Sequence, residues 1–182
     1  MWGATKTLMS QANETTKTIE RAYVKLSHIS PGIEFFPDGM FVARVEVKNF
    51  GNTPASVTDV MLKAVVLNYG ELLPEKPNYD RVRSQSDYYA FLVAGERFIY
   101  WNPEAFRVDI ADVPRILKEG SRVLYLIGYV DYTDKFGVKY RAGYARRYWP
   151  KADEEIDPEL FAKRNNLFFV TQQGYNYDRE HT

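Results

Sequence analysis

The sequence predicts an all-β domain with short helical insertions, arranged as an immunoglobulin-like antiparallel β-sandwich of about seven strands. Stretches rich in Val, Ile and Tyr alternate apolar with polar residues, which is the two-residue period of half-buried strands. Gly and Pro turns separate these stretches, and no strand alternates with a long helix as it would in a wound α/β fold. The chain of 182 residues is long enough for one hydrophobic core.

Composition removes several classes of function. Lys plus Arg and Asp plus Glu number 24 each, so no overall field attracts nucleic acid or an acidic membrane face. The absence of cysteine excludes disulfides, thiolate metal sites and cysteine nucleophiles. His28 and His181 are the only histidines, which gives little basis for a histidine metal cluster or a Ser-His-Asp arrangement. We therefore predict no enzymatic activity, no cofactor, no metal and no nucleic-acid partner.

Three regions follow from the local composition. Residues 1–20 are polar and rich in Thr, and they are either a helical stalk or a disordered spacer. Residues 21–170 contain the strand patterns of the sandwich, and residues 171–182 form a polar C-terminal tail that we expect to be frayed. The sequence has no run of about 18 apolar residues, which is the length needed to span a bilayer. Residues 1–20 also lack the apolar centre of a secretory signal.

The first strands surround a corner. A strand over 22–28 is expected to end at Pro31-Gly32. A second strand over 41–48 leads into the corner at 49–55, where Gly51 is predicted to take a positive φ and Pro54 to fix the exit of the turn. A more apolar strand follows to Val66.

The middle of the chain is less regular. Residues 68–87 form a long connection that is either functional or mobile. Two short aromatic strands, 88–93 and 97–101, are separated by a turn at 94–96 that fits either a hairpin or a crossing between sheets. Asp112 is predicted to cap a short helix that stops at Gly120.

Residues 121–147 predict a long β-hairpin. Its first arm is apolar at nearly every position, which is typical of a central strand covered on both faces. Asp134 and Gly137 fit a four-residue turn in which Gly takes the left-handed position. A helix over 157–166 and a short strand over 167–170 complete the pattern.

Two sets of residues could carry binding. The second hairpin arm is basic at Lys139, Arg141, Arg146 and Arg147, either as a solvated face or as a surface for single-stranded nucleic acid. Aromatic residues in or beside loops would suit a carbohydrate-binding face if three or more lie exposed and coplanar. These aromatic residues are Tyr88, Tyr89, Tyr100, Trp101, Tyr175 and Tyr177.

Three stretches together resemble the extracytoplasmic β-sandwich domain of a family of uncharacterised bacterial membrane-anchored proteins. They are ERAYV at 20–24, VKNFGNTPA at 47–55 and GYVDYTDKFG at 128–137. The resemblance implies a membrane helix and a polar stalk ahead of the sandwich, and a location in the periplasm or cell envelope. It implies no catalytic residue. We therefore expect the reading frame to extend upstream of Met1 into an apolar segment, and a cytoplasmic location if Met1 is the native start.

Two functions of different classes stand at this point. The first is a non-enzymatic interaction or scaffold domain that is tethered to a bacterial membrane and meets protein partners. The alternative is a carbohydrate-binding sandwich that uses the exposed aromatic residues. A hydrolase is the least favoured, because it would need a pair of carboxylates in a pocket and the sequence shows no such pair.

Overall fold

The computed structural model describes residues 20–79, 90–101, 106–148 and 167–181, and it shows a mostly β protein built from two antiparallel sheets. The predicted spacer before Glu20 and the predicted helix over 157–166 lie outside the described residues. The strands are β1 (Val24–Phe35), β2 (Met40–Asn49), β3 (Ala55–Asn68), β4 (Ala90–Leu92), β5 (Arg97–Trp101), β6 (Phe106–Arg107), β7 (Arg122–Asp134), β8 (Lys139–Tyr148), β9 (Leu167–Phe169) and β10 (Asp178–Glu180).

Sheet A has the strand order β1-β2-β5, and the short β6 also pairs with β2. Strand β2 is buried at every second residue, as its sequence pattern predicts. The side chains of Phe41, Val45 and Val47 are fully buried, whereas their neighbours are half-exposed. One face of β2 therefore packs on the core.

Strand β1 does not end at Pro31-Gly32, so that prediction was wrong. It continues to Phe35, and its pairing with β2 shifts register between His28 and Ile33. Strand β1 is an edge strand, so the N–H that Pro31 lacks costs the sheet little stability. The shift in register accommodates the residues between His28 and Ile33 that have no partner in β2.

Sheet B has the order β10-β8-β7-β3-β4, and β9 also pairs with β8. Strand β7 lies in the middle, and both of its faces are covered, as predicted. Leu124 and Leu126 face the main core, while Ile127 and Tyr129 are buried on the other face. That outer face carries a second small core in which Leu73 and Tyr175 contribute from the loop after β3 and from the C-terminal segment.

The main core lies between the two sheets, which confirms the predicted all-β sandwich; the finer immunoglobulin-like assignment stays a prediction. The core takes residues from both sheets, and burial of this apolar surface is the dominant stabilising term. Its largest fully buried members include Phe41, Tyr132, Tyr144, Leu124, Leu126, Val45 and Val57.

The C-terminal segment is part of the sandwich, and the prediction of a frayed tail over 171–182 was wrong for residues 171–181. Strand β10 pairs with β8, and Tyr175 is fully buried with its hydroxyl donating to the Pro74 carbonyl at 2.7 Å. The segment is polar because its backbone and amide groups complete the edge of a sheet, so composition alone misled the prediction.

The corner after β2 is built around Asn49, which is fully buried and makes four side-chain hydrogen bonds. Its Oδ1 accepts from the amides of Tyr23 (3.2 Å) and Gly51 (3.0 Å), and its Nδ2 donates to the carbonyls of Thr53 (2.8 Å) and Leu92 (3.1 Å). Pro54 follows directly and leads into β3.

Gly51 is needed at this corner for a different reason from the one predicted. It does not have a positive φ. A Cβ at Gly51 would instead lie 2.5 Å from the Arg21 carbonyl oxygen and 2.5 Å from the Tyr23 amide nitrogen. The glycine therefore permits close approach of two backbone segments.

The turn between β7 and β8 matches its prediction. Gly137 has a φ of 80°, and its amide donates to the Asp134 carbonyl at 3.0 Å. The Asp134 carboxylate accepts from the amides of Phe136 (2.8 Å) and Val138 (3.0 Å). Asp134 is thus occupied as a turn residue.

Two smaller elements refine the predictions. The turn at 94–96 joins β4 of sheet B to β5 of sheet A, so it is a crossing between sheets. The short helix α1 (Asp112–Pro114) continues as a π-helical turn over Arg115–Glu119 and stops at Gly120 in the left-handed conformation. Asp112 is its first residue and makes no cap hydrogen bond, which corrects that expectation. Within the described part of the chain, no helix is long and apolar enough to cross a membrane.

Candidate ligand cleft at the sandwich edge

A cleft of about 240 Å³ opens at one edge of the sandwich, between β1 of sheet A and the outer edge of β8 in sheet B. Both cationic and aromatic side chains line it, together with one carboxylate. The lining residues are Tyr23, Lys25, Leu26, Gly143, Arg146, Phe169, Asn176, Tyr177 and Asp178.

The cleft lies at a gap in the pairing along β8. Strand β10 pairs with residues 140–142 and β9 pairs with residues 146–148. Between them, the Gly143 amide donates to the Tyr177 carbonyl at 2.7 Å. A Cβ at Gly143 would lie 2.5 Å from the Tyr177 ring and 2.7 Å from the Tyr175 carbonyl oxygen, so only glycine lets the C-terminal segment cross here.

Arg146 provides the main charge in the cleft. Residues two apart on a strand share a face, and Tyr144 and Tyr148 on β8 face the core. The Arg146 side chain between them therefore leaves the strand on the inner face of sheet B. It is half-buried, and its Cζ lies 4.7 Å from the ring centroids of both Tyr144 and Phe169. Burial lowers the pKa of Arg146. Among the described residues, no carboxylate lies within ion-pair distance of it.

Asp178 is the carboxylate of the cleft, and it is already engaged. It forms an ion pair with Arg21 and accepts a hydrogen bond from the Tyr132 hydroxyl at 3.1 Å. Burial raises the pKa of Asp178, and the Arg21 guanidinium opposes that rise only in part. With Asp178 matched by Arg21, the two remaining cations, Lys25 and Arg146, leave the cleft with a positive excess.

The rim of the cleft is partly apolar. Phe169 on β9 is 60% exposed, although its ring contacts Arg146. Lys25 on β1 is exposed, and its ammonium lies 4.3 Å from the centroid of the Tyr23 ring. Aromatic residues and arginine are enriched in protein interfaces, and the contact of Phe169 with Arg146 places both at this rim.

The aromatic residues predicted for carbohydrate binding are not brought together. Tyr100 is 6% exposed and Tyr175 is fully buried, which corrects the expectation that these rings are exposed. Trp101 is 61% exposed on β5, at the opposite edge of sheet A from β1, whereas Tyr177 is half-buried in the cleft. Tyr88 and Tyr89 lie outside the described residues.

The predicted basic face of β8 is also divided. Arg141 makes two hydrogen bonds to the Asp131 carboxylate, at 2.6 and 2.7 Å, and lies over the Tyr129 ring on the outer side of sheet B. Arg146 lies on the inner side, so these cations form no continuous surface. Within residues 20–79, 90–101, 106–148 and 167–181, no three metal-ligating side chains come together.

The cleft is hard to predict from the sequence, because its residues come from β1, β8, β9 and the C-terminal segment. One usable signal was the strand period. In the run from Tyr140 to Tyr148, every second residue is apolar or aromatic except Arg146. A cation in an inward-facing row is unusual and needs an explanation.

Comparisons with known proteins add little. No protein-family model matches the chain. No curated protein matches it either. One similar solved structure is a crystal structure described as the "Putative ApaA Protein from Bordetella pertussis", with 15% sequence identity and a TM-score of 0.39. The alignment covers 70% of this chain and 94% of that chain, and at this TM-score the likeness carries no argument.

Proposed function

We propose that this chain is a non-enzymatic interaction module that holds an anionic group of a protein partner in the cleft between β1 and β8. The observation that carries this proposal is the half-buried Arg146 guanidinium, which has no carboxylate partner among the described residues. Desolvating a charge costs free energy unless an opposite charge compensates it. An incoming anion would supply that compensation.

The hydrogen bonds of Asp178 support a structural part for it in the cleft. Its two carboxylate oxygens accept one hydrogen bond from Arg21 and one from Tyr132, which fixes the position of the carboxylate. Asp178 then acts as a fixed wall of the cleft.

The rim supports a macromolecular partner. The cleft opens beside β1, which is an edge strand of sheet A, and the exposed Phe169 ring stands on its other side. A partner chain that covers this rim would bury the ring and the Lys25 stem together, and aromatic rings are common anchors of interfaces. The resemblance to membrane-anchored proteins supports a setting at the cell envelope.

Site-specific photo-crosslinking tests the proposal in cells that express the protein. A benzophenone amino acid replaces Phe169 at the cleft and, as a matched control, Trp101, which is equally exposed at the opposite edge of sheet A. We expect a discrete crosslinked protein from position 169 that is lost when Arg146→Met is added, and no such product from position 101. A product at position 169 that survives Arg146→Met, or the same product from both positions, would refute the proposal.

A further inference from the structure

We infer that the group held in the cleft is a carboxylate, bound through two parallel hydrogen bonds by the Nε–Nη2 edge of Arg146. This inference rests on the proposed function, because it names the chemistry that the same cleft recognises.

The hydrogen bonds of Arg146 leave one edge of its guanidinium open. Nη1 donates to the Ala145 carbonyl at 2.7 Å and to Asn176 Oδ1 at 2.9 Å, which uses both of its protons. Among the described residues, neither Nε nor Nη2 has an acceptor. The Nε–H and one Nη2–H are parallel and match the two oxygens of a carboxylate.

The guanidinium is held in place before any ligand arrives. Asn176 Oδ1 also accepts from the Ala145 amide at 3.0 Å, and Asn176 Nδ2 donates to the Val170 carbonyl at 2.7 Å, so the orientation of this amide is fixed. Contact with the Tyr144 and Phe169 rings limits rotation of the arginine further. Little side-chain freedom is then lost on binding, which favours affinity.

Charge selects a monoanion. Asp178 is matched by Arg21, and Lys25 is exposed at the rim, so the Arg146 guanidinium is the half-buried positive charge of the cleft that has no carboxylate partner among the described residues. A carboxylate neutralises this single charge, whereas a phosphate dianion would bring a second negative charge into a site of reduced dielectric. The two oxygens of a planar carboxylate also match the two parallel N–H groups of the guanidinium fork.

The Phe169 ring favours ligands in which the carboxylate is attached to an apolar group. Phe169 contacts the Arg146 guanidinium and exposes most of its surface at the rim. An apolar or aromatic arm on the ligand would pack on this ring as its carboxylate reaches Arg146. We therefore expect phenylacetate to bind more tightly than acetate.

Nuclear magnetic resonance of the protein with 15N-labelled arginine tests the inference. The Arg146 Nε–H signal is followed during separate titrations with acetate, phenylacetate and dianionic inorganic phosphate at constant ionic strength. We expect saturable downfield shifts with both carboxylates, the tighter with phenylacetate, and weaker binding of phosphate. Either of two results on the parent protein would overturn the inference without any variant. Phosphate could bind as tightly as acetate, or the Arg146 Nε–H signal could remain unchanged.

A conservative variant isolates the two-point geometry. Arg146→Lys keeps the charge and loses the fork, and we expect about tenfold weaker phenylacetate binding, as measured by calorimetry. Arg97→Lys is the matched control, because Arg97 is exposed on β5 far from the cleft, and it should bind as the parent does. Equal phenylacetate affinity for Arg146→Lys and the parent would contradict the inference.

Two peptides identify where the carboxylate comes from. One carries a single internal Glu beside Phe and has blocked ends; the other ends in Phe with a free C-terminal carboxylate. Binding of either peptide that weakens about tenfold in Arg146→Lys supports the inference and identifies the source of the carboxylate. Carboxylate binding without the crosslinked partner would refute the proposed function alone, whereas an Arg146-dependent crosslink without any carboxylate binding would refute this inference alone.

Discussion

Replacing Gly51 by alanine should destabilise the sandwich strongly, although alanine is the smallest possible side chain. The added Cβ would lie 2.5 Å from two backbone atoms of residues 21–23 and 2.8 Å from a third, where ordinary contacts begin near 3.4 Å. These neighbours are backbone, so no side chain can rotate away. The segment that leads into β1 must therefore move by about 1 Å.

The cost follows from the bonds that this movement strains. Overpacking of this kind costs about 1–3 kcal/mol. The displaced segment also makes two corner hydrogen bonds, from the Tyr23 amide to Asn49 and from the Phe50 amide to the Tyr23 carbonyl, each worth about 1 kcal/mol. A total of about 3–5 kcal/mol would lower the melting temperature by about 6–20 °C in a chain of this size.

Thermal unfolding followed by circular dichroism measures the effect. Gly95→Ala is the matched control, because Gly95 has a φ of 78° and a Cβ there would meet nothing within 4 Å. That change costs only the left-handed backbone strain, about 1–2 kcal/mol. If Gly51→Ala melts with the parent, or no lower than Gly95→Ala, then backbone close approach does not determine this corner.

Three further predictions concern stability. Gly137→Ile should lower the melting temperature because φ is 80°, whereas Gly137→Asn should be tolerated, as nothing lies within 4 Å. Tyr175→Phe should lower the free energy of unfolding in denaturant by about 1 kcal/mol, since the hydrogen bond from the hydroxyl to the Pro74 carbonyl is lost. The pKa of Asp178 is raised by burial in the folded protein, so its ionisation at higher pH destabilises the fold. The free energy of unfolding of the parent, measured relative to Asp178→Asn, should therefore fall as the pH rises from 3.8 through the native pKa of Asp178. A rise over the same pH range would show that the ion pair with Arg21 outweighs burial.

Local patterns predicted the parts of the fold that depend on local chemistry. The alternation in β2, the central position of β7 and the turn with Asp134 and Gly137 each follow from residues close together in sequence. Side-chain period and turn geometry act over a few residues, so they are readable without knowledge of tertiary contacts.

Features that depend on distant segments were not readable. Gly51 was identified as special for the wrong reason, because the backbone that excludes a side chain there belongs to residues 21–23. The C-terminal segment has only one deeply buried aromatic, Tyr175, and otherwise contributes amide and backbone groups to β8. Composition describes how polar a segment is and carries no information on whether a sheet edge needs those polar groups.

The cleft follows from the way in which the edge of β8 is covered. A continuous strand along residues 140–148 would have enclosed the Arg146 side chain and required an internal carboxylate to pair with it. Instead β10 ends its pairing at Ala142, β9 begins at Arg146, and the Asn176 amide takes the place of a ladder partner for Ala145. This interruption leaves the Nε–Nη2 edge of the Arg146 guanidinium without an acceptor among the described residues. The C-terminal segment therefore both covers the edge of β8 and forms part of the proposed ligand cleft.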